Sequence, residues 1–287
     1  MKLFAAGAAL LTSLSLGVPA SAQALPLGSS GLSSPLLPGQ TQDLGADREW
    51  GSVGERARDY LISSPVDFDP ERTYPVLFVF PGLNVSPENM IGDTGLNREA
   101  EAFVVHARGV DGAWAGAPYS VADMDEDIAY VRAVVDQLAE QHQQMDADRV
   151  YALGHSNGGG FAVSLACHAP DLVAGVMGVA GAYYEPFLEN CVDGSSVVPA
   201  LVMHSPTDGL IEYDGGVRHD TAYVGAREAA ARLAELNNCE EGVTGVGERE
   251  RGQNCDAEVE LLTGGTGHGW SVKATNVARD FFFQRTR

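Results

Sequence analysis

Basic side chains are scarce in this 287-residue sequence: 18 lysines and arginines stand against 39 aspartates and glutamates, a formal charge of −21. A surface of that sign repels phosphate backbones and anionic headgroups, and no basic stripe offsets it, which argues against nucleic acid or acidic lipid as a partner. It also disfavours highly anionic substrates. Long hydrophobic runs are missing beyond the N-terminus. No later stretch reaches the roughly 18 apolar residues of a membrane span, so no stable membrane anchor is expected. Cysteine is rare, with four residues in all. None follows the N-terminal apolar run, which leaves a lipoprotein-type anchor nothing to attach to. No two have the tight spacing of a zinc site, and neither a metal nor an organic cofactor is expected. The oligomeric state is not written in the sequence.

Against these absences stands an ordinary apolar content, 45% of residues, which is enough for a packed core. Residues 1–22 have the form of a secretory signal. Lys2 supplies the positive start, Leu3 to Leu16 a short apolar run, and Ala20-Ser21-Ala22 a small-residue cleavage signature, with Ala22-Gln23-Ala24 as a second option. Residues 23–45, rich in Ser, Pro, Gly and Leu, are expected to be a flexible leader. Export with an even cysteine count implies disulfides among Cys167, Cys191, Cys239 and Cys255. Three pairings are possible; Cys167–Cys191 with Cys239–Cys255 is preferred because each closes a local loop.

From Arg56 onward apolar runs alternate with helical patterns. Tyr74 to Phe80 is a continuous hydrophobic run stopped by Pro81-Gly82, the signature of a strand buried on both faces. Strands are also predicted over Phe103–His106, Arg149–Leu153, Val173–Val179, Ala200–His204 and Glu258–Leu262. Helices are predicted over Asp125–Gln141, Gly158–Ala166, Thr221–Asn237 and Val272–Phe283. The alternation predicts a mostly parallel sheet with helices on both faces, a single α/β domain over residues 46–287.

Gly154-His155-Ser156-Asn157-Gly158 fits G-x-S-x-G directly after one predicted strand and before a helix, the context of a nucleophile elbow. A serine hydroxyl is a poor nucleophile until a base takes its proton, and that base needs an acid to orient it. In this arrangement the acid follows a later strand and the base the last one. Asp208 lies just beyond Ala200–His204, ahead of the more distant Glu212 and Asp214. His268 lies in the glycine-rich loop after Glu258–Leu262. His155 is expected to shape the pocket rather than act as base. The oxyanion of a tetrahedral intermediate would take backbone amides from Asn157 and from Gly82 or Leu83; Pro81 has no N–H to offer. Trp270, Trp114 and Tyr119 are candidates for lining an acyl or sugar site, with core packing as the competing role. Asp127 is expected to cap its helix, with bracing of the elbow as the alternative.

Tyr74-Pro75-Val76-Leu77 leading to Pro81-Gly82, Gly-His-Ser-Asn-Gly-Gly at the elbow, His204-Ser205-Pro206-Thr207-Asp208 and Gly267-His268-Gly269-Trp270 together resemble the secreted esterase/polyhydroxybutyrate depolymerase family. That family is close to feruloyl and acetylxylan esterases of carbohydrate esterase family 1. The resemblance runs from about Arg56 to the C-terminus. It implies an α/β-hydrolase fold, export, the same three catalytic positions, and support for the local disulfides. Two departures border the pocket: Pro81-Gly82 replaces the family's usual His-Gly, and His204-Ser205-Pro206-Thr207 its usual His-Gly-Thr.

The expected activity is a serine carboxylesterase acting on a small-molecule or polymeric ester, such as acylated saccharides or short-chain (poly)esters. An envelope acyltransferase using the same acyl-enzyme is the first alternative, and a non-catalytic binding protein the second.

Overall fold

The computed structural model describes residues 48–53, 58–192 and 197–283, all within one compact unit, Pro35–Arg287. The signal and leader expected over residues 1–45 lie outside the described residues. In chain order the strands are β1 (Arg48–Val53), β2 (Arg58–Ser63), β3 (Tyr74–Phe80), β4 (Phe103–Ala107), β5 (Met145–His155), β6 (Gly175–Val179), β7 (Tyr183–Tyr184), β8 (Ala200–His204), β9 (Gly215–Arg218), β10 (Thr221–Val224), β11 (Glu241–Thr244), β12 (Arg249–Gln253) and β13 (Val259–Thr263). The helices are α1 (Pro87–Thr94), α2 (Met124–Gln141), α3 (Asn157–His168), α4 (Ala226–Leu236) and α5 (Val272–Phe283).

A 10-stranded sheet runs β1-β2-β4-β3-β5-β6-β8-β13-β12-β11. From β4 to β13 neighbouring strands are parallel, and the outer pairs on both sides are antiparallel. The continuous apolar run of β3 is explained by its two covered faces. Val76, Phe78 and Phe80 join one core with Val131 and Val134 of α2, Phe161 of α3 and Leu233 of α4. Leu77 and Val79 join the other with Met90 of α1 and Phe281 of α5. A strand period of two delivers alternate side chains to the two helical layers, so every position must be apolar.

Helix α2 starts where Asp123 accepts a hydrogen bond from the Glu126 amide at 2.8 Å, with Asp125, Glu126 and Asp127 in its first turn. Asp123 is therefore the cap, not Asp127 as the sequence suggested. The predicted helix over Thr221–Asn237 is also shorter than expected. His219 and Asp220 both have positive φ, 52° and 58°, the geometry of a two-residue hairpin turn. Residues Thr221–Val224 accordingly return as β10 against β9, and the helix begins only after Gly225. Strands β7, β10 and β9 form a separate three-stranded sheet. The disulfides are Cys167–Cys191 and Cys239–Cys255, the pairing expected from local loop closure. Among the described residues no helix is long and apolar enough to cross a membrane.

Candidate active site

Four loops leave the carboxyl ends of strands in the parallel part of the sheet, where open α/β sheets bind ligands. Pro81–Leu83 follow β3, Ser156 follows β5, Asp208 follows β8 and His268 follows β13.

Ser156 sits between β5 and α3 with φ 56° and ψ −121°, a backbone conformation that non-glycine residues rarely adopt. Its amide donates to the Val179 carbonyl at 3.0 Å and its carbonyl accepts from Ala182 at 2.9 Å, so neighbouring strands hold the turn. The flanking glycines are a steric requirement. A Cβ on Gly154 would collide with the Gly158 carbonyl, and one on Gly158 with the carbonyls of Phe80 and Pro81. The motif spacing thus brings β5, α3 and the loop after β3 into backbone contact.

The three side chains expected to meet do so. His268 Nε2 lies 2.8 Å from Ser156 Oγ, and His268 Nδ1 lies 2.8 Å from Asp208 Oδ2. A carboxylate can only accept, so Nδ1 carries the proton and Nε2 offers its lone pair to the serine hydroxyl. Asp208 Oδ1 accepts from the amides of Leu210 at 2.9 Å and Ile211 at 3.0 Å. Burial pushes the Asp208 carboxyl up, but the His268 hydrogen bond and these two amides outweigh it, and its pKa falls below the usual value. His204, at the end of β8, donates from Nε2 to the Ile211 carbonyl at 2.9 Å with Asp208 Oδ2 at 3.3 Å. Glu212 and Asp214, the other acids considered, lie beyond this turn.

Gly82 and Leu83 border the same space as Ser156, and a Cβ on Gly82 would come within 3.1 Å of the Ser156 Cβ. Asn157 is the first residue of α3, where backbone N–H groups have no partner within the helix. Its side chain is occupied elsewhere. Asn157 Oδ1 accepts from the Trp114 amide at 2.8 Å while Nδ2 donates to the Trp114 carbonyl at 3.1 Å.

Trp114 is a correction to the sequence reading: it is buried, not a pocket wall. Its indole packs against Phe80 and Phe161, and its Nε1 donates to the Pro81 carbonyl at 3.1 Å. Asp127, fully buried, accepts from the Ala115 amide at 2.7 Å and from Arg58 at 2.6 Å. It braces the segment that clamps Asn157. Burial raises its pKa against the opposing pull of Arg58. Trp270 does not line the cavity either; its Nε1 donates to Thr275 Oγ1 at 2.9 Å, tying the loop after β13 to α5.

A cavity of about 300 Å³ opens over Ser156 and His268. Tyr119 and His155 border it, as expected. His155 Nε2 lies 2.7 Å from the His268 carbonyl oxygen, and burial lowers its pKa to about 4, so the ring is neutral and donates. Tyr184, Leu210, Arg218 and His219 also border the cavity. The sequence reading missed them as pocket residues: all four lie outside the predicted elements, and β10, whose pairing with β9 makes the hairpin that carries Arg218 and His219, was read as the start of a helix. The two positive-φ residues at its tip carry no glycine to mark them.

A model of the α/β hydrolase fold matches residues 75–222, about half of the chain. The chain belongs to the α/β-hydrolase fold family. It is 36% identical over 170 residues to "Putative esterase NocK" of Nocardia uniformis subsp. tsuyamanensis, covering 57% of this chain and 48% of that protein. To "Probable feruloyl esterase C" of Aspergillus niger it is 27% identical over 176 residues, covering 58% of this chain and 61% of that one. This hydrolase-fold chain thus spans about half of the first relative and three fifths of the second. The solved structure of the acetyl xylan esterase from Aspergillus awamori superposes with a TM-score of 0.60 at 14% identity, covering 83% of this chain and 100% of the other.

Proposed function

We propose that this protein is an exported serine carboxylesterase that works through an acyl-enzyme. The observation that carries the reading is the unbroken hydrogen-bonded line from Ser156 through His268 to Asp208 in a cavity open to a ligand. Ser156 Oγ attacks the ester carbonyl as its proton passes to His268 Nε2. Asp208 steadies the imidazolium that forms. The amides of Asn157 and of Gly82 or Leu83 receive the oxyanion, a contribution of about 3 kcal/mol per donor. Collapse of the intermediate expels the alcohol, which takes the proton from His268. Water, deprotonated by the same histidine, then hydrolyses the acyl-Ser156 ester.

The names of the relatives favour an ester of a saccharide-linked or other small acyl group, and the open cavity favours a soluble substrate or a chain end. Two disulfides support an oxidising location, in agreement with the signal-like N-terminus. A fluorophosphonate should add its phosphonyl mass to the Ser156 peptide and abolish hydrolysis of a chromogenic short-chain ester. Ser156→Ala should lower kcat by a factor on the order of 10⁴ or more. Full activity in that variant overturns the reading.

A further inference from the structure

One cation borders the cavity of a strongly acidic molecule. In a chain of charge −21, Arg218 borders the cavity that holds Ser156 and His268, whereas among the described residues no aspartate or glutamate does. From Arg58 to Arg279, every arginine and lysine other than Arg98 and Arg218 has a carboxylate within 4.0 Å. Arg98 lies on the turn after α1, away from the cavity. Arg218 thus borders the cavity, with its charge felt by the Tyr119 and Tyr184 phenols and no ion-pair partner among the described residues, in a protein that has acids to spare.

Its position is built. Arg218 pairs with Thr221 across the tight β9–β10 turn, and β10 pairs in turn with β7, which carries Tyr184. Tyr119 packs edge-on against both Tyr184, at 6.0 Å between rings, and His219, at 4.8 Å. The cavity wall beside Arg218 is therefore a cluster of two phenols and an imidazole. Burial raises the pKa of both phenols, which keeps them protonated and able to donate. A planar guanidinium fork beside hydroxyl donors matches the two oxygens of a carboxylate.

We propose that Arg218 recognises an anionic group on the substrate, so that the ester favoured by this pocket carries a carboxylate in addition to the ester bond. This rests on the ester-hydrolase reading of Ser156 and deepens it by naming a substrate class. The overall charge keeps polyanions away while one local cation selects a singly charged ligand.

Two matched pairs of probes test it. On the alcohol side, 3-(4-acetoxyphenyl)propanoate is compared with its carboxamide; on the acyl side, the 4-nitrophenyl monoester of glutaric acid with that of glutaramic acid. In one series the carboxylate should win in kcat/KM by roughly tenfold, the size of a charge-assisted contact at a partly screened site. That ratio should fall to near one in Arg218→Gln, stay partly in Arg218→Lys, and shrink with added salt. The same preference should appear in calorimetric binding to Ser156→Ala protein and vanish in Ser156→Ala/Arg218→Gln. Equal binding of acid and amide in both series overturns the Arg218 proposal whatever the activity. Retained binding preference without Ser156-dependent hydrolysis of either amide probe would instead overturn the esterase reading and leave Arg218 as an anion site.

Discussion

The main-chain carbonyl of His268 accepts a hydrogen bond from the side chain of His155, 2.7 Å away, although 113 residues separate the two in sequence. The residue immediately before the proposed nucleophile therefore holds the backbone of the proposed base. Ser156 Oγ and His268 Nε2 keep their 2.8 Å separation only while the loop after β13 stays in place. His155→Phe retains a ring of similar shape but removes the donor. It should lower kcat by about 10- to 100-fold, since small misplacements of a reacting group cost that much, with little change in KM. Steady-state kinetics on a short-chain chromogenic ester reads both parameters. An unchanged kcat would show that the loop is held by other contacts.

The same histidine makes stability depend on pH. Its pKa is about 4 in the folded protein against 6.5 for an exposed imidazole. Between those values the unfolded chain binds a proton that the native state refuses, so stability falls as pH falls from about 7 to about 4. His204 and His168, both lowered chiefly by burial, act in the same direction. Asp127, raised by burial, opposes them. Lowered carboxyls such as Asp208 and Glu185 lose their share only in and below the ordinary carboxylate range. The urea midpoint should therefore drop between pH 7 and pH 5, and drop less in His155→Phe. Identical losses in the two proteins would mean that His155 is not held neutral by the fold.

Much of the parallel layer could be read from the sequence, because β3, β4, β8 and α5 carry runs whose period leaves one choice. The three residues joined in the site were legible for a related reason: each lies in a short loop directly after a strand of that layer. The hairpin that walls the cavity was not. Its turn uses His219 and Asp220 rather than the glycines that announce such turns, and only Gly225 separates Thr221–Val224 from the alanine-rich start of α4. Strand β12, Arg-Glu-Arg-Gly-Gln, was hidden by its polarity; Arg249 and Arg251 bond to Glu260 on the adjacent β13. Long-range clamps such as Asn157 to Trp114 have no local signature at all.

That clamp separates two kinds of aromatic residue. Trp114 is 1% exposed and reaches Asn157 and Pro81 through hydrogen bonds, whereas Tyr119 borders the cavity. Trp114→Phe keeps much of the stacking against Phe161 and loses the bond to the Pro81 carbonyl. It should reduce kcat/KM for acetyl, butyryl and octanoyl esters by one common factor, about tenfold, and cost about 1–2 kcal/mol of stability. Tyr119→Ala should change the ratios among those esters. A Trp114→Phe profile that depends on chain length would place the indole in contact with substrate after all.

Beneath the clamp lies the buried pair Arg58–Asp127, with side chains 8% and 0% exposed and 2.6 Å between Nη1 and Oδ1. The guanidinium also rests over the Tyr130 ring at 3.9 Å and has little contact with water to fall back on if its partner is removed. Asp127→Ala leaves that cation buried and the Ala115 amide without its acceptor. It should destabilise the fold by about 3–5 kcal/mol in urea unfolding, far more than loss of a helix cap, which costs about 1 kcal/mol. The double variant Arg58→Met/Asp127→Leu removes both charges and fills the space. It should recover most of that loss, while kcat stays reduced because Ala115, next to Trp114, remains unanchored. If the double variant is as unstable as Asp127→Ala alone, the stranded cation is not what the single substitution costs, and the carboxylate's bond to the Ala115 amide carries the stability instead.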